Sequence, residues 1–301
     1  MLVLTVVGLV ALVPAHGADC GAGIGPCSCG DRVITNTALG SDPVLRQSCP
    51  CHGLIVASGV TLDIGGTIQW TGPGSCGDPA VLFPSAVLIE EGADNVVIKH
   101  GRTIGFLRGV AGGGVTGCRI TGLQILNPSH FGVYLGPFAD NQMNTIEHNV
   151  VRGSQFLGIL IHGTLNTVCV NRVEDSSLGI SAQGGENTVC RNVISRAAST
   201  AIEISGDNNT VSQNRVQQSG GLGAFSIDDS GNQFTGNIAV NNTGSGFFTT
   251  HRPGGNNVFR RNTASYNDGH GFVDLSGGNV YEDNRCGGNA LGDSSPPGLC
   301  E

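Results

Sequence analysis

Three apolar columns run through the middle and C-terminal parts of the chain in fixed phase. The first is Val133, Ile159, Ile180, Ile202, Phe225, Phe247 and Phe272, each directly after a small residue (Gly132, Gly158, Gly179, Ala201, Ala224, Gly246 and Gly271). The second is Ile146, Val168, Val189, Val211, Phe234, Phe259 and Tyr281; the third is Val151, Val173, Ile194, Val216, Ala239, Ala264 and Cys286. Neighbours of these positions are mostly polar, and alternation of period two predicts short strands with one face buried. No stretch of this repeat carries the 3.6-residue spacing of a helix.

Polar positions repeat in the same phase. Asn144, Asn166, Asn187, Asn209, Asn232, Asn257 and Asn279 lie two residues before the second column. Asn149, Asn171, Asn192, Asn214, Asn237, Asn262 and Asn284 lie two before the third. Both registers advance by 22, 21, 22, 23, 25 and 22 residues, a period that marks a solenoid. Asparagine tolerates the left-handed backbone of a tight corner, and stacked amides can hydrogen-bond along an axis. The expected fold is therefore all-β: a single-stranded parallel β-helix with three strands per coil and a rise of about 4.8 Å per coil. A Leu-dominated repeat with helices does not fit the columns.

The expected layout is a signal peptide at 1–17, a disulfide-rich cap at 18–58, the β-helix at 59–285 and a C-terminal cap at 286–301. Residues 2–13 form an apolar run too short to span a bilayer, and Ala15-His16-Gly17 offers small residues for cleavage before Ala18. The mature chain is thus expected outside the cytoplasm, secreted or periplasmic, without a membrane span. Export turns the 11 cysteines into disulfide candidates. Cys169 and Cys190 occupy one position on adjacent coils, about 5 Å apart and within bridging reach. Cys286 and Cys300 can staple the tail, while Cys29 and Cys49 belong to the N-terminal cysteine cluster. Zinc is the alternative for Cys27, Cys29, Cys49 and Cys51, although the Cys-x-Cys spacings are tighter than those of common fingers. Cys118 stands where an earlier coil would carry a ladder asparagine, so it is the expected odd, buried thiol. Net charge is −8 with a single lysine, Lys99, which argues against nucleic acid and anionic membranes as partners.

Cys29-Gly30-Asp31, Val33-Ile34-Thr35-Asn36-Thr37 with Leu39, Cys49-Pro50, Gly53-Leu54-Ile55-Val56 and Gly59-Val60-Thr61-Leu62-Asp63-Ile64 resemble the opening of bacterial right-handed parallel β-helix proteins. The Asn-Thr-Val-x-x-Asn coils resemble the repeats of the same NosD-like and pectate-lyase-like superfamily, over about residues 29–284. The resemblance implies right-handedness and a polysaccharide-handling protein: a hydrolase, lyase or epimerase if it is an enzyme. Two other readings stand beside it: a non-catalytic, disulfide-capped surface or adhesion protein, and, from the NosD-like resemblance, a periplasmic accessory factor for metal-cofactor maturation. Enzymatic patterns of the superfamily do not carry over. Asp228-Asp229 follows its strand, whereas Gly269-His270-Gly271 precedes one two coils later; no Asp-Pro-His stretch or calcium–carboxylate set with a basic residue is evident.

Coil lengths locate a candidate groove. From small-residue anchor to first-register asparagine the count is 12 at Gly132, 8 for the next four coils, 11 at Gly246 and 8 again. Two insertions, around Pro137-Phe138-Ala139-Asp140 and His251-Arg252-Pro253-Gly254-Gly255, thus leave one corner as walls about 20 Å apart along the axis. The floor between them reads Leu160 and His162, Ser181 and Gln183, Glu203 and Ser205, Ser226 and Asp228. Glu203 and Asp228, one coil and two residues apart, have a Cα separation near ~8 Å, and inverting glycosidases hold their carboxyls about 6.5–9.5 Å apart. Glu203 and Asp228 are the candidate catalytic carboxylates and His162 a proton-transfer partner. Tyr134, Gln183, Phe248, His251 and Arg252 are the candidate substrate contacts, with Tyr134 and Phe248 as sugar platforms. No cofactor is expected; Asp207, Asp228 and Asp229 would admit calcium, without a spacing rule to support it. His130, His148 and His270 read as turn or surface residues. The expected partner is a polysaccharide, and the expected state a monomer.

Overall fold

A computed structural model describes residues 17–70, 83–136, 140–250 and 255–301. The proposed leader, residues 1–16, lies outside the described residues. The chain winds as a parallel β-solenoid of about 11 turns, and its only described helix is the 3-10 turn Pro43–Leu45. In a regular coil two three-residue strands, such as Thr145–Glu147 and Val150–Arg152, precede a longer one, Leu157–Thr164. Each strand pairs in parallel with its equivalent one coil on.

All three apolar columns are realised in register. Val133 pairs with Ile159, Ile180, Ile202, Phe225, Phe247 and Phe272 in turn. These side chains are at most 1% exposed. At the C-terminal end the columns become aromatic, and the rings stack at the coil rise. Phe225–Phe247 and Phe247–Phe272 centroids are 4.6 Å apart, Phe234–Phe259 4.9 Å and Phe259–Tyr281 4.8 Å. A parallel sheet thus sets both the backbone spacing and the ring spacing.

The asparagine registers form buried ladders. Asn149 Nδ2 donates to Asn171 Oδ1 (3.1 Å), Asn171 to Asn192 (3.1 Å), Asn192 to Asn214 (3.0 Å) and Asn214 to Asn237 (3.0 Å). Each Oδ1 also accepts the main-chain N–H of the asparagine below, as Asn192 Oδ1 does from Asn171 N at 2.8 Å. One expectation is corrected. The asparagines do not take the left-handed backbone themselves; the preceding residue does, at Met143 (φ 54°), His148 (55°), Leu165 (60°), Val170 (60°) and Arg191 (52°). The amide must point inward to reach the next coil, so the turn is absorbed one residue earlier, where side chains such as Met143 and Leu165 face solvent.

A third register, five residues after the second, was not evident in the asparagine count. It runs Ser154, Ser176, Ala197, Ser219, Asn242, Asn267 and Asn289. Asn242 Nδ2 donates to Asn267 Oδ1, and Asn267 Nδ2 to Asn289 Oδ1, both at 2.9 Å. Lateral charge is matched on a neighbouring strand face: Glu174, 1% exposed, meets Arg152, Arg172 and Arg196. Burial raises its pKa, but hydrogen bonds from Arg152 and Arg172 outweigh burial and leave the carboxyl below its usual range.

Residues 18–58 carry strands of the same winding: Asp19–Cys20 pairs with Asp31–Val33, which pairs with Leu54–Val56. Four disulfides join described residues: Cys20–Cys27, Cys29–Cys49, Cys169–Cys190 and Cys286–Cys300. Cys169 and Cys190 are register partners with Cα atoms 4.6 Å apart. The zinc alternative is overturned, because Cys27, Cys29 and Cys49 are consumed by disulfides. Cys118 is a buried free thiol whose main-chain N–H donates to Asn144 Oδ1 at 2.9 Å, so it occupies the ladder position.

Candidate functional site

The sheet that runs from Asp19–Cys20 to Ser294–Ser295 presents one outer face along the winding. Along it, Tyr134, Leu160, Ser181, Glu203, Ser226 and Phe248 form one register column. His162, Gln183 and Ser205 form a second, two residues further along each strand. Asp228 extends it: it follows its strand, its N–H donates to Ile204 O, and Ser205 Oγ donates to its Oδ2 at 3.3 Å. Ser181 Oγ donates to Glu203 Oε2 at 2.9 Å, and Gln183 Nε2 to Ser181 Oγ at 3.3 Å. Neither Glu203 nor Asp228 has a cation within ion-pair distance among the described residues. Two partly exposed carboxylates therefore stand on adjacent coils, each accepting one hydroxyl and keeping lone pairs free.

His162 is set apart from them. It shares Asp228's column but lies three coils away, roughly 14 Å along the axis, with Gln183 and Ser205 between. Its Nδ1 is buried without a partner. Direct proton exchange between His162 and Asp228 is excluded by that spacing. Tyr134 and Phe248 occupy opposite ends of the first column, five coils apart. His251, Arg252 and most of both walls (137–139 and 251–254) lie outside the described residues. The remainder of the first insertion adds a short strand, Asn141–Gln142, paired with Gly163 and Thr164.

The Tyr134 end carries groups that the repeat did not single out. Arg108 Cζ sits 5.2 Å from the Phe83 ring centroid and 5.3 Å from that of Tyr134. Phe131 packs on Tyr134 (4.6 Å between centroids), and Phe156 meets Phe131 edge-on at 5.4 Å. His130 meets Phe83 edge-on at 6.0 Å. Burial pulls the Arg108 pKa down to about 10, partly offset by Tyr134; burial likewise pushes the Tyr134 hydroxyl up. His52, buried nearby, is pulled down to about 4 by burial and by the charge of Arg108, and its Nδ1 accepts the N–H of Ser85. A usable signal existed: Arg108 precedes Gly109 as Phe131 precedes Gly132, 23 residues on, and the two are register partners.

A parallel winding with internal amide ladders and one continuous lateral face defines a parallel β-helix protein, right-handed by its family. The chain belongs to the family described as "Periplasmic copper-binding protein (NosD)", whose model matches residues 82–286, about two thirds of the sequence. Among solved structures the chain is similar to the catalytic domain of GH87 alpha-1,3-glucanase in complex with nigerose. That match has a TM-score of 0.63 and 12% identity and covers 94% of this chain and 62% of that one. It is similar to a tailspike protein mutant of E. coli bacteriophage HK620 in complex with pentasaccharide (TM-score 0.58, 13% identity, 86% and 60% covered). The GH136 lacto-N-biosidase from Eubacterium ramulus is a third (0.57, 12%, 81% and 51%). The chain spans between half and two thirds of the length of these proteins, and at such identities the likeness shows the fold. No curated protein matches the chain.

The family description names copper, and the described residues do not fit a copper centre. No three His, Cys, Asp or Glu side chains among them converge. The described free thiol, Cys118, is buried against the Ala93 and Thr116 carbonyls. Among the described residues no helix is long and apolar enough to cross a membrane. Four disulfides fit an oxidising compartment.

Proposed function

We propose that this is an exported β-helix protein that binds a polysaccharide along the outer face of its long sheet, between Tyr134 and Phe248. The observation that carries the reading is the row of partly exposed groups Gln183, Glu203, Ser205 and Asp228, with the buried Ser181 hydroxyl donating to Glu203. These hydroxyl, amide and carboxylate groups repeat at the coil rise, and no cation among the described residues neutralises them. Sugar hydroxyls are matched by such a row, and the aromatic rings at its ends suit the apolar faces of pyranose rings. Solved β-helix proteins of similar fold carry oligosaccharides, which supports the reading by analogy.

Hydrolysis is the second reading, favoured by the offset of Glu203 and Asp228. One coil and two residues correspond to a Cα separation of about 8 Å, compatible with a water between an acid and a base. Calorimetric titration of the purified chain against neutral and acidic glycans tests binding, and release of reducing ends tests hydrolysis. Ultraviolet absorbance from an unsaturated product would reveal a lyase instead. A panel with neither heat of binding nor turnover overturns the proposal.

A further inference from the structure

The Arg108 cluster carries a more specific inference. Its guanidinium is half-buried on the sheet face between two aromatic rings and meets no carboxylate among the described residues. Its one hydrogen bond among the described residues runs from Nη2 to Phe83 O at 2.7 Å, and its Nε is buried without a partner. Among the described residues Arg32, Arg119, Arg152, Arg196 and Arg260 each face a carboxylate, while the exposed Arg102 and Arg215 bond glutamine side chains. A desolvated cation without a counter-charge is costly, and the ring faces recover part of that cost. Nearby His52 adds no negative charge. Among the described residues the cluster has no anion, and the Nη1 edge is the part of the fork with no acceptor.

The rings around it are open to solvent: Phe83 is 43% exposed and Phe156 50%. We propose that Arg108 binds the carboxylate of an acidic sugar unit, with Phe156, Phe131 and Tyr134 holding that unit's ring. This deepens the polysaccharide reading and rests on it. The spacing of charge along the face narrows the ligand class. Glu203 and Asp228 lie four and five coils from Arg108, about 19 and 24 Å along the axis. A polymer with an acid on every unit would bring like charges against both carboxylates. A glycan with isolated acids, separated by several neutral units, places one acid on Arg108 and neutral units on Glu203 and Asp228.

The test uses the full chain in calorimetric titrations with four probes. They are a linear neutral hexasaccharide ending in a single glucuronate, its carboxyl-reduced derivative, a polyuronate and a neutral glucan. The expected order places the sparse acidic glycan first, with a loss of about tenfold on carboxyl reduction and a similar loss in Arg108→Gln, partly restored in Arg108→Lys. Melting curves of the variants check folding, and the carboxyl-reduced probe needs no variant at all. Equal affinity for the acidic glycan and its reduced form overturns the Arg108 assignment while leaving the polysaccharide reading standing. Tightest binding of the polyuronate overturns the sparse-charge argument. No binding of any probe overturns both.

Discussion

Asn166 stands directly against Asn187 of the next coil. Its Nδ2 donates to Asn187 Oδ1 at 3.1 Å and its main-chain N–H to the same oxygen at 2.9 Å. Asn187 Nδ2 in turn donates to Gly163 O at 2.9 Å. One buried side chain thus satisfies three groups that water cannot reach.

Replacing Asn187 by Ala removes all three bonds and leaves the Asn166 N–H buried and unpaired. Each such loss costs about 1–3 kcal/mol, so a total of roughly 3 kcal/mol is expected. Urea unfolding should report it, with the exposed substitution Val193→Thr as a near-neutral control. A cost below that of the control would mean that the ladder does not hold the coils.

Cys118 provides the converse test. It sits in the ladder but offers only sulfur, a weak acceptor, to the buried strand backbone. In Cys118→Asn the new Nδ2 would face Ala93 O, which the thiol now contacts at 3.7 Å. Extending the ladder by one coil is expected to stabilise the fold by about 1 kcal/mol, read as a rise in melting temperature. A marked fall would show that this coil has no room for the amide.

The columns, two ladders and the pairing of Cys169 with Cys190 were legible because each is a strict repeat of residue type at one depth. The third ladder was hidden because half of it is Ser or Ala: Ser154, Ser176, Ala197 and Ser219 dilute the asparagine signal before Asn242. The left-handed corners were misassigned because Met143, Leu165, Val170 and Arg191 share a backbone angle and no side-chain chemistry. Arg108 and Phe83 escaped notice because their coils precede the first ladder asparagine, so Gly109, 23 residues before Gly132, was the one marker that phased Arg108 with the Tyr134 coil, and Phe83 had none. Glu203 and Asp228 could be placed on one face from periodicity alone; the hydroxyl partners Ser181 and Ser205 required the register.

His52 makes stability depend on mild acid. Burial, aided by the charge of Arg108, lowers its pKa in the fold from 6.5 to about 4. The unfolded chain therefore binds the extra proton first. Stability from this group is complete above pH 6.5 and declines as pH falls toward 4, by an amount on the order of 3 kcal/mol. Melting temperature measured between pH 7 and pH 4 should show the decline, and His52→Gln should flatten it. An unchanged slope in that variant would assign the acid sensitivity elsewhere.

Glu203 and Asp228 separate binding from hydrolysis. In Glu203→Gln the amide oxygen can still accept from Ser181 Oγ, and in Asp228→Asn from Ser205 Oγ, so both folds are expected to melt within about 0.5 kcal/mol of the parent. If the face only binds glycan, each variant changes affinity by less than about tenfold, since one partly exposed hydrogen bond is altered. If the pair is an acid and a base across a water, either substitution removes a proton-transfer partner and lowers the release of reducing ends by about 100-fold or more, with affinity kept. Parallel losses of affinity and turnover in both variants would contradict the acid–base pair and leave the two carboxylates as sugar contacts, each holding a hydroxyl of the chain laid across it.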